Sequence, residues 1–251
     1  MKNAYNTSAY GSFAYVYDIF QDNVPYDAWT KRICEILKAY GISDGPLLDL
    51  GCGTGELTRR LAGCGYDMTG VDAAVDMLQK AMEKQTDPPV LYLLQEMQEL
   101  ELDGCVRAVC STCDCINYIL DPLQLQETFR RVFACLEPGG VFLFDVNTPY
   151  KYEQLLGEQT FAESREEGSF IWENYYDEES RINEYDLTLF IPEEDGRYRR
   201  QVETHLQRNY EIGELVLYLQ EAGFACEGIY DEYTADAPRT ESERVTIVAK
   251  K

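Results

Sequence analysis

The chain has 251 residues, with 22 Lys and Arg against 45 Asp and Glu, a formal net charge of −23. So acidic a surface repels phosphate backbones and anionic headgroups, which sets nucleic acid and membrane surfaces aside as expected partners. A hydrophobic content of 45%, with 12% aromatics, excludes a disordered chain, and the length can bury a core without disulfide or metal staples.

The opening segment MKNAYNTSAYGSF lacks the apolar stretch of a signal peptide, and no apolar run nears the ~18 residues of a membrane helix. A cytoplasmic protein with nine reduced cysteines is therefore expected. Residues 1–45 read as a partly helical lid, clearest at 26–40. From 46 to 150 short apolar runs at 46–50, 66–71, 90–94, 106–111 and 141–146 alternate with helical patterns at 56–62, 74–84 and 122–136. That alternation predicts a parallel α/β sheet, with 137–140 as a turn. Across 151–210 the pattern changes to three alternating stretches, 169–176, 182–191 and 198–210, expected as a small antiparallel insertion. Residues 211–251 return to the first sheet with a helix at 211–222 and strands at 224–230 and 244–249.

The strand at 46–50 runs into Gly51-Cys-Gly-Thr-Gly55. A dinucleotide fingerprint needs a glycine at 56, where Glu56 stands, and Asp49 at the strand end would repel a diphosphate. The turn suits a bulky cofactor without phosphates lying on the backbone. Asp72 ends the second strand, 17 residues after Gly55, where an acid can hold both hydroxyls of a ribose. The spacing of Cys110, Cys113 and Cys115 has no second Cys/His pair to complete a zinc site, so these thiols read as strand-end packing and no metal is expected.

LLDLGCGTGELT followed by GVDAAVDML, LQEMQELEL, CDCINYI and LEPGGVFLFDVNTP resembles the class I S-adenosylmethionine-dependent methyltransferases, over roughly residues 46–150. The FAYVYD opening, FDVNTPYKY, IWENYY and HLQRNY resemble a YqeM-like bacterial subgroup, and the insertion more weakly resembles sugar-amine N-methyltransferases. The resemblance implies a Rossmann-like seven-stranded sheet with its last strand antiparallel, and S-adenosylmethionine as cofactor. It implies that Gly51, Cys52, Gly53, Thr54 and Gly55 approach the methionine part and ribose, and that Asp49 meets the amino group. Asp72 would hold the ribose, Ala73 and Met77 the adenine face, Gln95, Glu96 and Met97 the adenine edge, and Cys113 and Asp114 would border the cofactor.

For the acceptor side, Tyr5, Tyr10, Tyr15 and Tyr17 crowd the N-terminal segment, with Tyr15 and Tyr17 the lid candidates. The sugar-amine relatives place a histidine base near Asn117, which cannot take that role. His205 is the chain's one histidine, and strand alternation puts it on one face with Glu203 and Gln207, as a candidate general base. Asn147, Trp172, Tyr175 and Tyr210 are further acceptor-side candidates. The expected partner is a small-molecule methyl acceptor reacting through N or O, the protein being a monomer or homodimer.

Overall fold

The computed structural model describes residues 10, 13–84, 87 and 89–251. Tyr5 lies outside the described residues. The large sheet contains β1 (Gly45–Leu50), β2 (Tyr66–Asp72), β3 (Leu91–Leu94), β4 (Val106–Ser111), β5 (Leu136–Asn147), β10 (Ala225–Asp231) and β11 (Arg244–Lys250), in the order β10-β11-β5-β4-β1-β2-β3. β1 to β5 pair in parallel, and β11 runs antiparallel to both β5 and β10. The expected seven-stranded sheet with its last strand reversed is therefore present.

Helices α1 (Tyr17–Phe20), α2 (Tyr26–Ala39), α3 (Glu56–Gly63), α4 (Val75–Glu83), α5 (Pro122–Cys135) and α6 (Ile212–Ala222) complete the frame. β1 is buried on both faces because successive side chains point opposite ways. Leu47 meets Ile33 and Leu37 of α2 and Leu61 of α3 in one core, while Leu48 joins Phe129 of α5 and Leu215 of α6 in the other. Asp121 caps α5 by accepting from the Leu123 N–H at 2.9 Å, ahead of Pro122, which needs no donor in the first turn.

The insertion is a second, antiparallel sheet of four strands: β6 (Thr160–Arg165), β7 (Gly168–Asp177), β8 (Ile182–Pro192) and β9 (Tyr198–Arg208). The sequence predicts three. TFAESR alternates too weakly to announce a strand, and β6 is held as an edge by backbone pairing with β7. The turn expected at 137–140 is instead part of β5. Its backbone pairs with the chain's end, the Gly139 N–H donating to Lys251 O and the Lys251 N–H to Gly140 O. That contact spans more than a hundred residues and leaves no local signal. The N-terminal segment packs on the second sheet, with Phe13, Val16 and Phe20 against Tyr185, Leu187 and Leu189.

Among the described residues no helix is long and apolar enough to cross a membrane, and no group of three or more His, Cys, Asp and Glu is arranged to hold a metal.

Candidate active site

A cavity of about 710 Å³ opens at the C-terminal ends of β1, β2 and β4. Open α/β sheets bind ligands there, where the strand order reverses between β1 and β4. Asp49, Gly51, Cys52, Gly53, Thr54, Asp72, Ala73, Met77, Gln95, Glu96, Met97, Cys113 and Tyr17 of the sequence-predicted residues all line it.

The glycine turn is built by backbone needs. Gly51 has φ +82° and Gly53 φ +52°, a region where only glycine avoids strain. A Cβ on Gly51 would sit 2.7 Å from Cys115 Sγ, whereas one on Gly53 meets nothing within 4 Å. The empty side of Gly53 leaves room for a ligand on the backbone. Gly55 does not line the cavity. It starts α3 at φ +76°, and a Cβ there would strike the Tyr92 hydroxyl at 2.5 Å, so its space is taken by packing.

Two carboxylates face each other across this turn. Asp72 Oδ2 accepts from the Gly53 N–H at 2.7 Å and Oδ1 from the Ala74 N–H at 2.8 Å. Burial raises its pKa, with those hydrogen bonds opposing. Asp49 is buried at the end of β1; its Oδ2 accepts from the Thr58 hydroxyl at 2.5 Å and its Oδ1 has no partner. Burial pushes its pKa up to about 7, against the Thr58 hydrogen bond. An unpartnered buried carboxylate oxygen at a cavity wall fits a cationic group. Gln95 is tied to the Glu101 backbone by both its amide nitrogen and oxygen.

The loop after β4 carries two successive residues in the left-handed region, Cys113 at φ 59° and Asp114 at φ 53°. Their N–H groups both donate to Asp145 of β5, at 3.0 and 2.6 Å. Arg244, opening β11, bonds Asp145 and Asp114 together. Asp114 also accepts from Gln207 Nε2 and turns away from the cavity, while burial lifts the Cys113 thiol to about 12. Asp145 lies within the LEPGGVFLFDVNTP segment, whereas no local motif marks Arg244.

The lid side is aromatic. Tyr10, Tyr17, Tyr26 and Tyr118 line the cavity, and burial raises the pKa of each phenol. Thr54 Oγ1 donates to Asp18 at 2.5 Å, fastening α1 to the glycine turn. Tyr15 points outward, 54% exposed, with its ring under Lys80. Asn117 is buried as a clamp, donating to Arg208 O at 2.9 Å and accepting from the Asn147 N–H at 3.0 Å. Asn147 itself holds Lys151 Nζ at 3.0 Å. Trp172, Tyr175 and Tyr210 do not line the cavity either; Tyr210 is buried with its hydroxyl on Ile119 O.

His205 has 0% exposure and lies one layer behind the wall. Its Nδ1 is 3.3 Å from the Tyr118 hydroxyl, its ring stacks on Tyr185, and Glu203 Oε2 is 3.6 Å from Nε2. Glu203 and Gln207 share its face of β9, as alternation predicts. Tyr118 is missed by the sequence reading although it adjoins Asn117, because only the fold turns it into the cavity.

The methyltransferase-domain family matches residues 47–140, the stretch that builds this cavity floor. A protein of Geobacillus sp. (strain WCH70), provisionally named a methyltransferase, is 40% identical over 96% of this chain and 99% of its own length. The chain belongs to the class I S-adenosylmethionine-dependent methyltransferases. YqeM of Bacillus subtilis (strain 168), also provisionally named a methyltransferase, is 36% identical over 96% of this chain and 97% of its own. A solved S-adenosylmethionine-dependent methyltransferase from Clostridium acetobutylicum ATCC 824 superposes with a TM-score of 0.86, at 28% identity over 96% and 98% of the two chains. The amino pentose methyltransferase CalS10 of Micromonospora echinaspora shares the fold at a TM-score of 0.75, at 17% identity over 94% and 95%. The methyltransferase therefore uses S-adenosylmethionine, and the orphan Asp49 oxygen and the open glycine cradle fit that cofactor's ammonium and ribose.

Proposed function

We propose that this methyltransferase transfers its methyl group to the nitrogen of a small-molecule amine. The observation that carries the reading is the charge of the cavity. Asp49, Glu56, Asp72, Asp76, Glu96 and Asp121 line it, and among the described residues no Lys, Arg or His does. A carboxylate or phosphate acceptor would enter against that field, whereas an ammonium is drawn in by it. The same field, together with the net charge of −23, disfavours RNA. A volume of about 710 Å³ suits a cofactor and a small acceptor. The shared fold with an amino pentose methyltransferase is in keeping with this chemistry.

The bound cofactor supplies a methyl group already activated on a sulfonium. The protein's part is then to hold, align and dry the reactants. In this reading Asp49 Oδ1 takes the ammonium of the cofactor, and the second lone pairs of Asp72 take the ribose hydroxyls. Met77, Ala73 and Met97 enclose the adenine, with Glu96 on its edge. Tyr17, Tyr26 and Tyr10 close the lid side, and their π faces stabilise a sulfonium.

The test is methyl transfer from isotopically labelled S-adenosylmethionine to a panel of amino sugars and other primary amines, carboxylates, phenols and tRNA. Labelled product is expected from amines alone. Turnover of a carboxylate or of tRNA, with none from amines, would overturn the reading.

A further inference from the structure

We propose that Asp18 is a positioning residue for the cofactor. It latches α1 to the glycine turn and to the end of α4, holding Tyr17 over the cavity, and its release lets the cofactor leave. The inference takes the cavity as the place of the cofactor, as proposed above, and needs no particular acceptor.

The N-terminal segment touches both parts of the molecule, and its Tyr10 and Tyr17 line the cavity. Toward the second sheet it is held by burial. Phe13, Val16 and Phe20 pack on Tyr185, Leu187 and Leu189, and Phe20 meets Phe170 edge-on with ring centres 5.0 Å apart. Glu203 of β9, only 5% exposed, accepts from the Tyr10 and Phe13 N–H groups, each at 2.9 Å. Arg165 of β6 donates to Ile19 O and to Asp22.

Toward the first sheet the fastening is polar and near the surface. Asp18 Oδ1 accepts from the Thr54 hydroxyl at 2.5 Å, and Oδ2 pairs with Lys84 Nζ. A lysine ammonium has three N–H donors, and three acceptors meet this one: Asp18, Thr54 O at 3.2 Å and Glu56 Oε1 at 2.9 Å. The Tyr15 ring, 4.8 Å from Lys80 Nζ, adds a second contact with α4. Thr54 and Glu56 line the cavity, whereas Asp18 and Lys84 do not, so the latch closes on the rim. Thr54 also belongs to the turn whose Gly53 N–H is held by Asp72. Asp18 therefore couples the lid to the cradle.

The two fastenings differ in kind. Dissolved salt that screens charges leaves apolar packing in place. The Asp18–Lys84 pair, with side chains 36% and 23% exposed, is weak and open to screening. Opening therefore starts at Asp18, while the segment stays on the second sheet. A side chain kept for folding alone would give this ion pair no control over cofactor exchange.

The rate of S-adenosylhomocysteine release reads the latch, with labelled ligand chased from the protein by excess unlabelled ligand. For wild type the rate is expected to rise about threefold from about 0.05 M to about 0.5 M KCl. Asp18→Asn can still accept from Thr54 but no longer carries the charge that holds Lys84. It should release the ligand about fivefold faster at low salt, with the salt dependence gone. Lys84→Met should do the same, and the double variant should add nothing further. Lys84→Arg, which keeps the charge, should restore slow, salt-sensitive release. Release from Asp18→Asn within about 1.5-fold of wild type, or a salt dependence that survives in Lys84→Met, rejects the latch. Asp72→Ala affinity, measured alongside, tests the cavity as the place of the cofactor, so the two readings fail separately.

Discussion

Asp72 holds the glycine turn closed from outside it: its Oδ2 accepts the N–H of Gly53 at 2.7 Å, nineteen residues away. With Oδ1 on the Ala74 N–H, one carboxylate ties the turn after β1 to the start of α4. Asp72→Ala orphans both donors and removes the carboxylate proposed to hold the ribose. S-adenosylhomocysteine affinity is expected to fall roughly 30- to 100-fold, about 2–3 kcal/mol. Calorimetric affinity within threefold of wild type would place the ribose elsewhere.

The raised pKa of Asp49, about 7, makes the stability of the free protein pH-dependent. The folded chain keeps that proton where the unfolded chain, with a value near 3.9, has lost it. The stabilisation is full below about pH 4 and is lost as pH rises through about 7, on the order of 4 kcal/mol in all. Asp49→Asn removes this dependence. Urea unfolding should show the variant gaining on wild type at pH 8 by on the order of 1–3 kcal/mol and losing that advantage at pH 5. The same variant should bind S-adenosylhomocysteine more weakly, because an amide cannot pair with its ammonium. Identical differences at both pH values would reject the buried-charge account.

Asn117→Ala should act on the fold. Its amide joins β9 to β5 through Arg208 O and the Asn147 N–H, and both partners would be left unsatisfied. The expected cost is about 2–4 kcal/mol, a lowering of Tm by roughly 5–10 °C for a chain of this length. An unchanged Tm together with abolished turnover would return Asn117 to the reaction.

Arg244→Met tests the buried ion cluster. It leaves Asp145 charged and without its cation, although the Cys113 and Asp114 N–H groups and the Tyr233 hydroxyl still donate to it. Breaking one side of a buried pair costs about 3–5 kcal/mol. The urea midpoint should fall accordingly, and a midpoint equal to wild type would show that the cluster contributes nothing to stability.

Gly51, Gly53 and Asp72 were legible because turn chemistry is local: a glycine run after an apolar strand, and an acid closing the next strand, announce themselves within thirty residues. Leu47 and Leu48 were legible because burial on both faces of a parallel strand writes a continuous apolar run. The strand TFAESR was not, since an edge strand is held by backbone bonds that any side chain permits. The packing around Gly55 was not legible for a related reason. Its positive φ is visible in the motif, but the Tyr92 hydroxyl that fills its free side comes from β3.

The acidity with which the sequence opens acquires its meaning in the same way. The net charge disfavours classes of partner from composition alone, because long-range repulsion needs no geometry. Composition does not say that six of those carboxylates line one cavity, which among the described residues no Lys, Arg or His lines. Nor does periodicity say that Tyr118 meets His205 across 87 residues of chain, or that Arg244 reaches Asp145 across 99 and Asp114 across 130. Local rules give the turn and the face a side chain takes; which distant side chains share a point in space follows from how the two sheets pack.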